Sequence, residues 1–336
     1  MKPSIVIVSP ALADANNGNW QTARRWQGML QAQAAVRIVR EWPDALAATG
    51  AVTDSAMLAL HARRSAASIA AWAQARSVSS NAPGLAVVLT GTDLYRDIHT
   101  DAASQRSLEL AQHLVLLQEC APAGLPAHLR SKALVIFQST SARHILVKSP
   151  KQFRALMVGH LRAEKSPQTL FAAAHLLSAE LGIWIDHIGA PLDAALGAQA
   201  QATALACPQY RWLGAQAHEA TRKRIQRAHV LVHCSAMEGG AHVLMEAVRC
   251  GTPVLCSRID GNVGMLGADY AGYFAWNDAA QLAHLLQRCA KRADPLYAQL
   301  QAQCRLRAPL FAPASEQAAL QKLQRALHAT PGSNPI

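Results

Sequence analysis

Short, continuous apolar runs recur along the whole chain, separated by longer Ala-, Leu- and Gln-rich stretches. A short run without alternation is the pattern of a strand buried on both faces, as in a parallel sheet covered by helices. In the first half the pattern predicts strands at 5–9, 36–40, 57–61, 86–90, 114–118 and 133–138. Helices are expected near 21–33, 65–75 and 104–112. A polar break comes next, Ser139-Thr-Ser-Ala-Arg-His144 and then Lys148-Ser-Pro-Lys151. A second series predicts strands at 155–159, 183–188, 211–213, 229–233 and 253–257, again with helices between them. From Asp294 to Ala329 the composition is helical and no strand is expected. Strand and helix in strict alternation imply an α/β fold with two Rossmann-like domains. The expected division is 1–150 and 151–310, with a helix over 311–329 packing back on the N-terminal domain and a flexible tail at 330–336.

Composition narrows this picture. The 336 residues are 51% hydrophobic, enough for two cores, and the net charge is +11 from 32 basic and 21 acidic residues. That excess suits anionic ligands. Its longest local cluster is only Arg222-Lys-Arg224, so nucleic acid is not an expected partner. The seven cysteines are scattered without a CxxC pair, which points to a reducing compartment. The chain opens directly on a strand and no run of 18 apolar residues occurs. The expectation is a cytoplasmic protein with no membrane partner.

The densest chemistry lies at Ser235-Ala-Met-Glu238-Gly239-Gly240-Ala241, with Glu246 and Gly251-Thr-Pro253 after it. Strands on either side place Glu238 and the glycines in a strand-to-helix turn, with Glu246 about two turns into the helix. Eight helical residues rotate a side chain by roughly 80°, so the carboxylates do not form one acid/base dyad. Open amides at Gly239, Gly240 and Ala241 would begin the helix and form an anion site between two hydroxyl-binding carboxylates. A nucleotide sugar fits that layout. After the strand at 155–159, Arg162 and Lys165 are the cations nearest the expected phosphates, and Ser166-Pro167 starts a helix.

In the first half, three loops end strands: Pro10 to Trp20 with Asn17-Gly18-Asn19, His61-Ala-Arg63-Arg64, and Thr90-Gly-Thr-Asp93. Carboxyl ends of strands in open α/β sheets carry the ligand, so these loops are expected to converge on one crevice. Arg258 to Gly267 comes after the last strong strand and brings glycines that let backbone approach a ligand closely. HExxH, GxSxG, Walker A and Cys/His metal patterns do not occur in the sequence.

The Glu238…Glu246 element, Gly251-Thr-Pro253 and the Gly159…Arg162…Lys165 loop resemble the GT-B glycosyltransferases of the family 4 type. That resemblance implies two Rossmann-like domains facing each other across a cleft, the first on the acceptor side and the second binding the nucleotide-sugar donor. It implies that Arg162 and Lys165 hold the donor diphosphate. Glu238 and the Gly239–Ala241 amides would hold the sugar, and Glu246 the ribose, without a cofactor or bound metal. The segments 10–26, 60–65, 89–97 and 261–267 are similar to the selenosugar synthases (SenB-type) of selenoneine biosynthesis. That likeness implies transfer of a hexose, usually N-acetylglucosamine, from a UDP-sugar to selenophosphate. It also implies a functional link to selenophosphate synthetase and selenoneine synthase. Cys234 departs from the proline expected in such a segment.

Selenophosphate needs cations and amide donors but no base. The residues available for it are Asn17, Gly18, Asn19, Arg25, His61, Arg63, Thr90 and Asp93, with Arg24, Arg64 and Arg96 close by in sequence. Arg25, Arg63 and the Asn17–Asn19 amides are the first choice for the anion. The alternatives are a transferase acting on a hydroxyl or thiol, with Asp93, Asp97 or His61 as base, and a non-catalytic nucleotide-binding module.

Overall fold

Residues 2–13, 18–291 and 293–328 are described in the computed structural model. Among these described residues the apolar runs form twelve strands in two parallel sheets. The first contains β1 (Ser4–Val8), β2 (Ala35–Val39), β3 (Ala56–Leu60), β4 (Ala82–Val88), β5 (Ala111–Leu116) and β6 (Ala133–Val135), in the order β2-β1-β3-β4-β5-β6. The second contains β7 (Phe153–Val158), β8 (Ile183–Ile188), β9 (Tyr210–Trp212), β10 (Val230–His233), β11 (Val254–Ser257) and β12 (Tyr273–Phe274), in the order β12-β11-β10-β7-β8-β9. Pro83-Gly84 conceals the start of β4 in the sequence, and a register shift lies between Ala82 and Ala86. β12 has only two residues, too few to leave a pattern.

Alternation along the first sheet builds two apolar layers. Ile5, Ile7, Leu58 and Val88 face Ala23, Trp26 and Leu30 of the helix Gly18–Leu30, with Leu320, Leu323 and Leu327 of the helix Pro313–His328. Val6, Val8, Met57 and Val87 face Ile69, Trp72 and Leu108 on the opposite side. Full burial of each such side chain stabilises by about 1.5–3 kcal/mol.

The chain divides into two compact units. The first 138 residues join the segment beginning at Pro313, and Ser139–Ala312 form the other. The boundaries therefore fall at 138/139 and 312/313, where sequence placed them at 150/151 and 310/311. The polar stretch after Gln138 belongs with the second unit because it bonds there: Arg143 N donates to Arg249 O and Arg222 donates to Ser141. In the first unit, Glu316 is fully buried and accepts from Arg25 Nε at 2.8 Å, Arg25 Nη2 at 3.0 Å and Trp26 Nε1 at 2.6 Å. The expected tail, 330–336, lies outside the described residues.

The segment expected to present glycine backbone to a ligand is instead the helix Asp260–Leu266, with Gly261, Asn262 and Gly264 buried. No helix among the described residues is long and apolar enough to cross a membrane.

Candidate functional site

β7 lies between β8 and β10, so the chain departs from it to opposite sides of the second sheet. Loops at the carboxyl ends of such neighbouring strands diverge and leave room for a ligand. The loop after β7 contains Gly159, Arg162 and Lys165, and the loop after β10 contains Glu238, Gly239 and Gly240. They are tied together by Ala236 N donating to Glu164 O at 2.9 Å.

Lys165 Nζ donates to Glu238 Oε1 at 2.5 Å, and His233 Nε2 stands 3.3 Å from the same oxygen. Burial acts to raise the Glu238 pKa, but the Lys165 ammonium and His233 together hold it well below the ordinary carboxylate value. Burial lowers the His233 pKa, against the opposing pull of Glu238, so the ring is neutral. Glu238 is thus an acceptor that keeps its charge, with only 12% of its side chain exposed. Arg162 differs. Its side chain is half exposed and its Nε is 3.9 Å from Glu164, which leaves a loosely held cation beside the committed Lys165.

The loops are held from beneath. His187 on β8 sends Nε2 to Gly159 O at 3.3 Å and Nδ1 to Tyr210 Oη at 2.9 Å. A carbonyl only accepts, so Nε2 carries the proton and Nδ1 accepts from the tyrosine hydroxyl. Burial lowers the His187 pKa to about 4, partly offset by the Gly159 carbonyl. Two glycines allow backbone to approach backbone: a Cβ on Gly189 would lie 1.9 Å from Gly159 O, and one on Gly261 would lie 2.1 Å from Glu238 O. The helix Asp260–Leu266 therefore presses on the Glu238 turn and brings Met265 under Ala241.

That contact corrects one expectation. The Ala241 amide is not open, because it donates to Met265 Sδ at 3.2 Å. No hydrogen bond engages the amides of Gly239 or Gly240 among the described residues. The helix His242–Arg249 then places Glu246, 6% exposed, with Oε1 accepting from His218 Nε2 at 2.6 Å. Arg222 Nε stands 3.6 Å from that oxygen and His242 Nε2 3.8 Å. His218 and Arg222 are four residues apart on the helix His218–Arg227, so one face carries both to Glu246.

In the first unit the ends of β3 and β4 meet. Asp93 is fully buried, and its oxygens accept from the amides of Ala62 at 3.0 Å, Thr90 at 2.8 Å and Gly91 at 2.9 Å. It braces the two loops, and so it does not offer itself to a ligand as the sequence led us to expect. Thr90 shares this role through its amide. His61 adopts a left-handed φ of 74°, a strained conformation for a residue with a Cβ. Its ring is 3% exposed, with Nε2 3.3 Å from Thr92 Oγ1 and 3.9 Å from Asp97 Oδ2. Arg63 and Arg96 lie 3.2 and 3.3 Å from Asp97 with much of their length in solvent.

Arg25 is absent from this cluster, since its guanidinium is engaged by Glu316. Gly18 and Asn19 open the helix Gly18–Leu30, and Asn17 lies outside the described residues. Sequence reasoning missed His187, His218, Arg222, His233 and Met265. Only the i, i+4 spacing of His218 and Arg222 left a signal.

Two six-stranded parallel sheets covered by helices make up the two Rossmann-like domains of the GT-B fold class. The structure is similar to sucrose-phosphate synthase from Thermosynechococcus elongatus, with 18% identity, 97% of this chain and 99% of that chain covered, and a TM-score of 0.75. It is similar to HepE from Anabaena, solved in complex with UDP and glucose, with 14% identity, 97% and 100% coverage and a TM-score of 0.70. A glycosyltransferase from Rickettsia africae gives 11% identity, 97% and 98% coverage and a TM-score of 0.72. No curated protein sequence matches the chain. The profile of the family described as Glycosyl transferases group 1 matches residues 138–306, half of the chain, and the chain belongs to that family.

Proposed function

We propose that this protein transfers a hexose, N-acetylglucosamine, from a UDP-sugar to selenophosphate, forming a carbon–selenium bond. The observation that carries the donor half is the Lys165–Glu238 pair between the loops of β7 and β10, with Glu246 on the next helix. The UDP and glucose held by the structurally similar HepE support a UDP-sugar as donor. In this reading Glu238 and the Gly239 and Gly240 amides accept from and donate to the sugar. Ala241 exchanges a weak thioether partner for a ligand oxygen. Arg162 and Lys165 hold the diphosphate, and Glu246 exchanges His218 for the ribose hydroxyls.

Selenium donates a lone pair to the anomeric carbon while the bond from that carbon to the β-phosphate oxygen breaks. UDP leaves with the bonding electrons, and the two cations stabilise the charge it gains. No proton has to be removed from this acceptor. The candidate bases accord with that: Asp93 is occupied by backbone amides, Asp97 faces two arginines, and the His61 ring faces Thr92 and these carboxylates. Arg63, Arg64 and Arg96, with the Asn17–Asn19 loop, are the groups we assign to the acceptor anion. The likeness of segments 10–26, 60–65, 89–97 and 261–267 to selenosugar synthases is what distinguishes selenophosphate from a hydroxyl or thiol.

The test is mass spectrometry of products formed from UDP-N-acetylglucosamine with selenophosphate, with thiophosphate, with a panel of alcohols and thiols, and with no acceptor. A hexose–selenium adduct formed together with UDP is expected. An oxygen or sulfur glycoside formed in preference would replace the acceptor while retaining the donor site.

A further inference from the structure

The second unit holds a cavity of about 740 Å³ that the donor site does not use. Its floor is Arg154 and Leu156 of β7 and Asp186 of β8, and its wall is the helix His218–Arg227 through Lys223, Arg224 and Arg227. An extended strap, 139–149, closes one side; it is pinned by Gln226 Nε2 donating to His144 O at 2.6 Å and by Lys148 Nζ donating to Gln226 O at 2.8 Å.

The charge here is out of balance. Asp186 is 1% exposed and serves three guanidiniums: Arg211 Nε and Nη2 at 2.9 and 2.6 Å, Arg154 Nη1 at 3.2 Å and Arg224 Nη1 at 3.6 Å. One carboxylate neutralises one of them, and Lys223 and Arg227 add to the surplus on the same wall. The Arg154 and Arg224 side chains remain 34% and 40% exposed, so each has N–H groups left for a ligand. The remaining lining is Leu146, Val147 and Ala220, with Ser149 its one polar member. Leu146 and Val147 of the strap border the cavity, and Val147 is completely exposed.

We infer that this cavity binds a small phosphate monoester bearing an apolar group. A dianion meets the surplus of charge, guanidinium forks match the phosphate oxygens, and the apolar part covers Leu146 and Val147. The volume lies within the range of small-molecule pockets. The inference stands apart from the sugar acceptor and from the nature of the donor nucleotide.

The probe is phenyl phosphate, titrated calorimetrically into the full chain and into Arg224→Ala, Arg227→Glu and Lys165→Ala. Arg227 is exposed and not among the partners of Asp186, so its reversal serves as the variant least able to disturb folding. Binding should weaken at least tenfold in Arg227→Glu and in Arg224→Ala, and should be retained in Lys165→Ala. Inorganic phosphate should bind several-fold more weakly. Vesicles containing phosphatidic acid, itself a phosphate monoester, give the second arm: sedimentation with them that depends on Arg227 would identify a lipid as the source of the ester, and its absence a soluble ester. No binding of phenyl phosphate or of vesicles, equal phenyl phosphate binding in Arg227→Glu, or loss only in Lys165→Ala would overturn the site.

Discussion

At Glu238 the positive partner decides what the carboxylate can do. Removing it in Lys165→Ala leaves a largely buried charge facing only a neutral His233, so the Glu238 pKa should move upward. Turnover should fall roughly 100-fold, the scale of losing one transition-state charge partner. A pH profile gives a readout that simple loss of structure would not move: the variant's remaining activity should decline at a higher pH than wild type as pH is lowered. The strand-to-turn setting of Glu238 can be read in sequence, because apolar runs flank it closely and glycines come directly after it. The contact of Lys165 with it cannot, since it spans 73 residues. His187 is still less legible. Its pairing opposite Met157 in the β7–β8 register sets the ring beneath Gly159, and a lone histidine in an apolar run announces nothing of the kind.

Among the elements, the helix Asp260–Leu266 shows how composition misleads. Its glycines favour loop, yet Gly261 lets one element rest on another's backbone. Gly261→Ala should push the Glu238 turn out of place and lower turnover at least tenfold, while the thermal midpoint falls by only a few degrees. Comparing both readouts in Gly261→Ala and Gly261→Ser checks this. Most strands were legible because they hold short apolar runs, as in β1, β3 and β10; the start of β4 was hidden by Pro83-Gly84, and β12 was not legible, since two residues carry no period. Besides the packing of Leu320, Leu323 and Leu327, the helix Pro313–His328 is held by the Glu316 carboxylate, which accepts from Arg25 and Trp26. Glu316→Ala should cost roughly 3 kcal/mol in urea unfolding by leaving buried donors unpaired.

For the molecule as a whole, burial keeps His61, His113, His187, His229 and His233 below their ordinary value of 6.5. These rings stay neutral in the fold, while the unfolded chain takes up protons below 6.5, so stability should fall as pH drops from 6.5 towards 4. His187 alone, shifted to about 4, represents roughly 3 kcal/mol across that window. The carboxylates held low, Glu238 among them, add their loss only beneath about 4.5. Urea midpoints at pH 7.5, 6 and 5 should therefore decline in order, and His187→Gln should flatten the slope. Chain order has a further consequence. A ribosome delivers the first sheet early, but Glu316, Leu320, Leu323 and Leu327 complete its core and emerge more than a hundred residues after that sheet's last strand. Residues 139–312 form a continuous unit that is wholly synthesised sooner. The unit built on the first sheet is thus the one that finishes folding last, and it waits with Trp26 and Arg25 uncovered until the helix Pro313–His328 arrives.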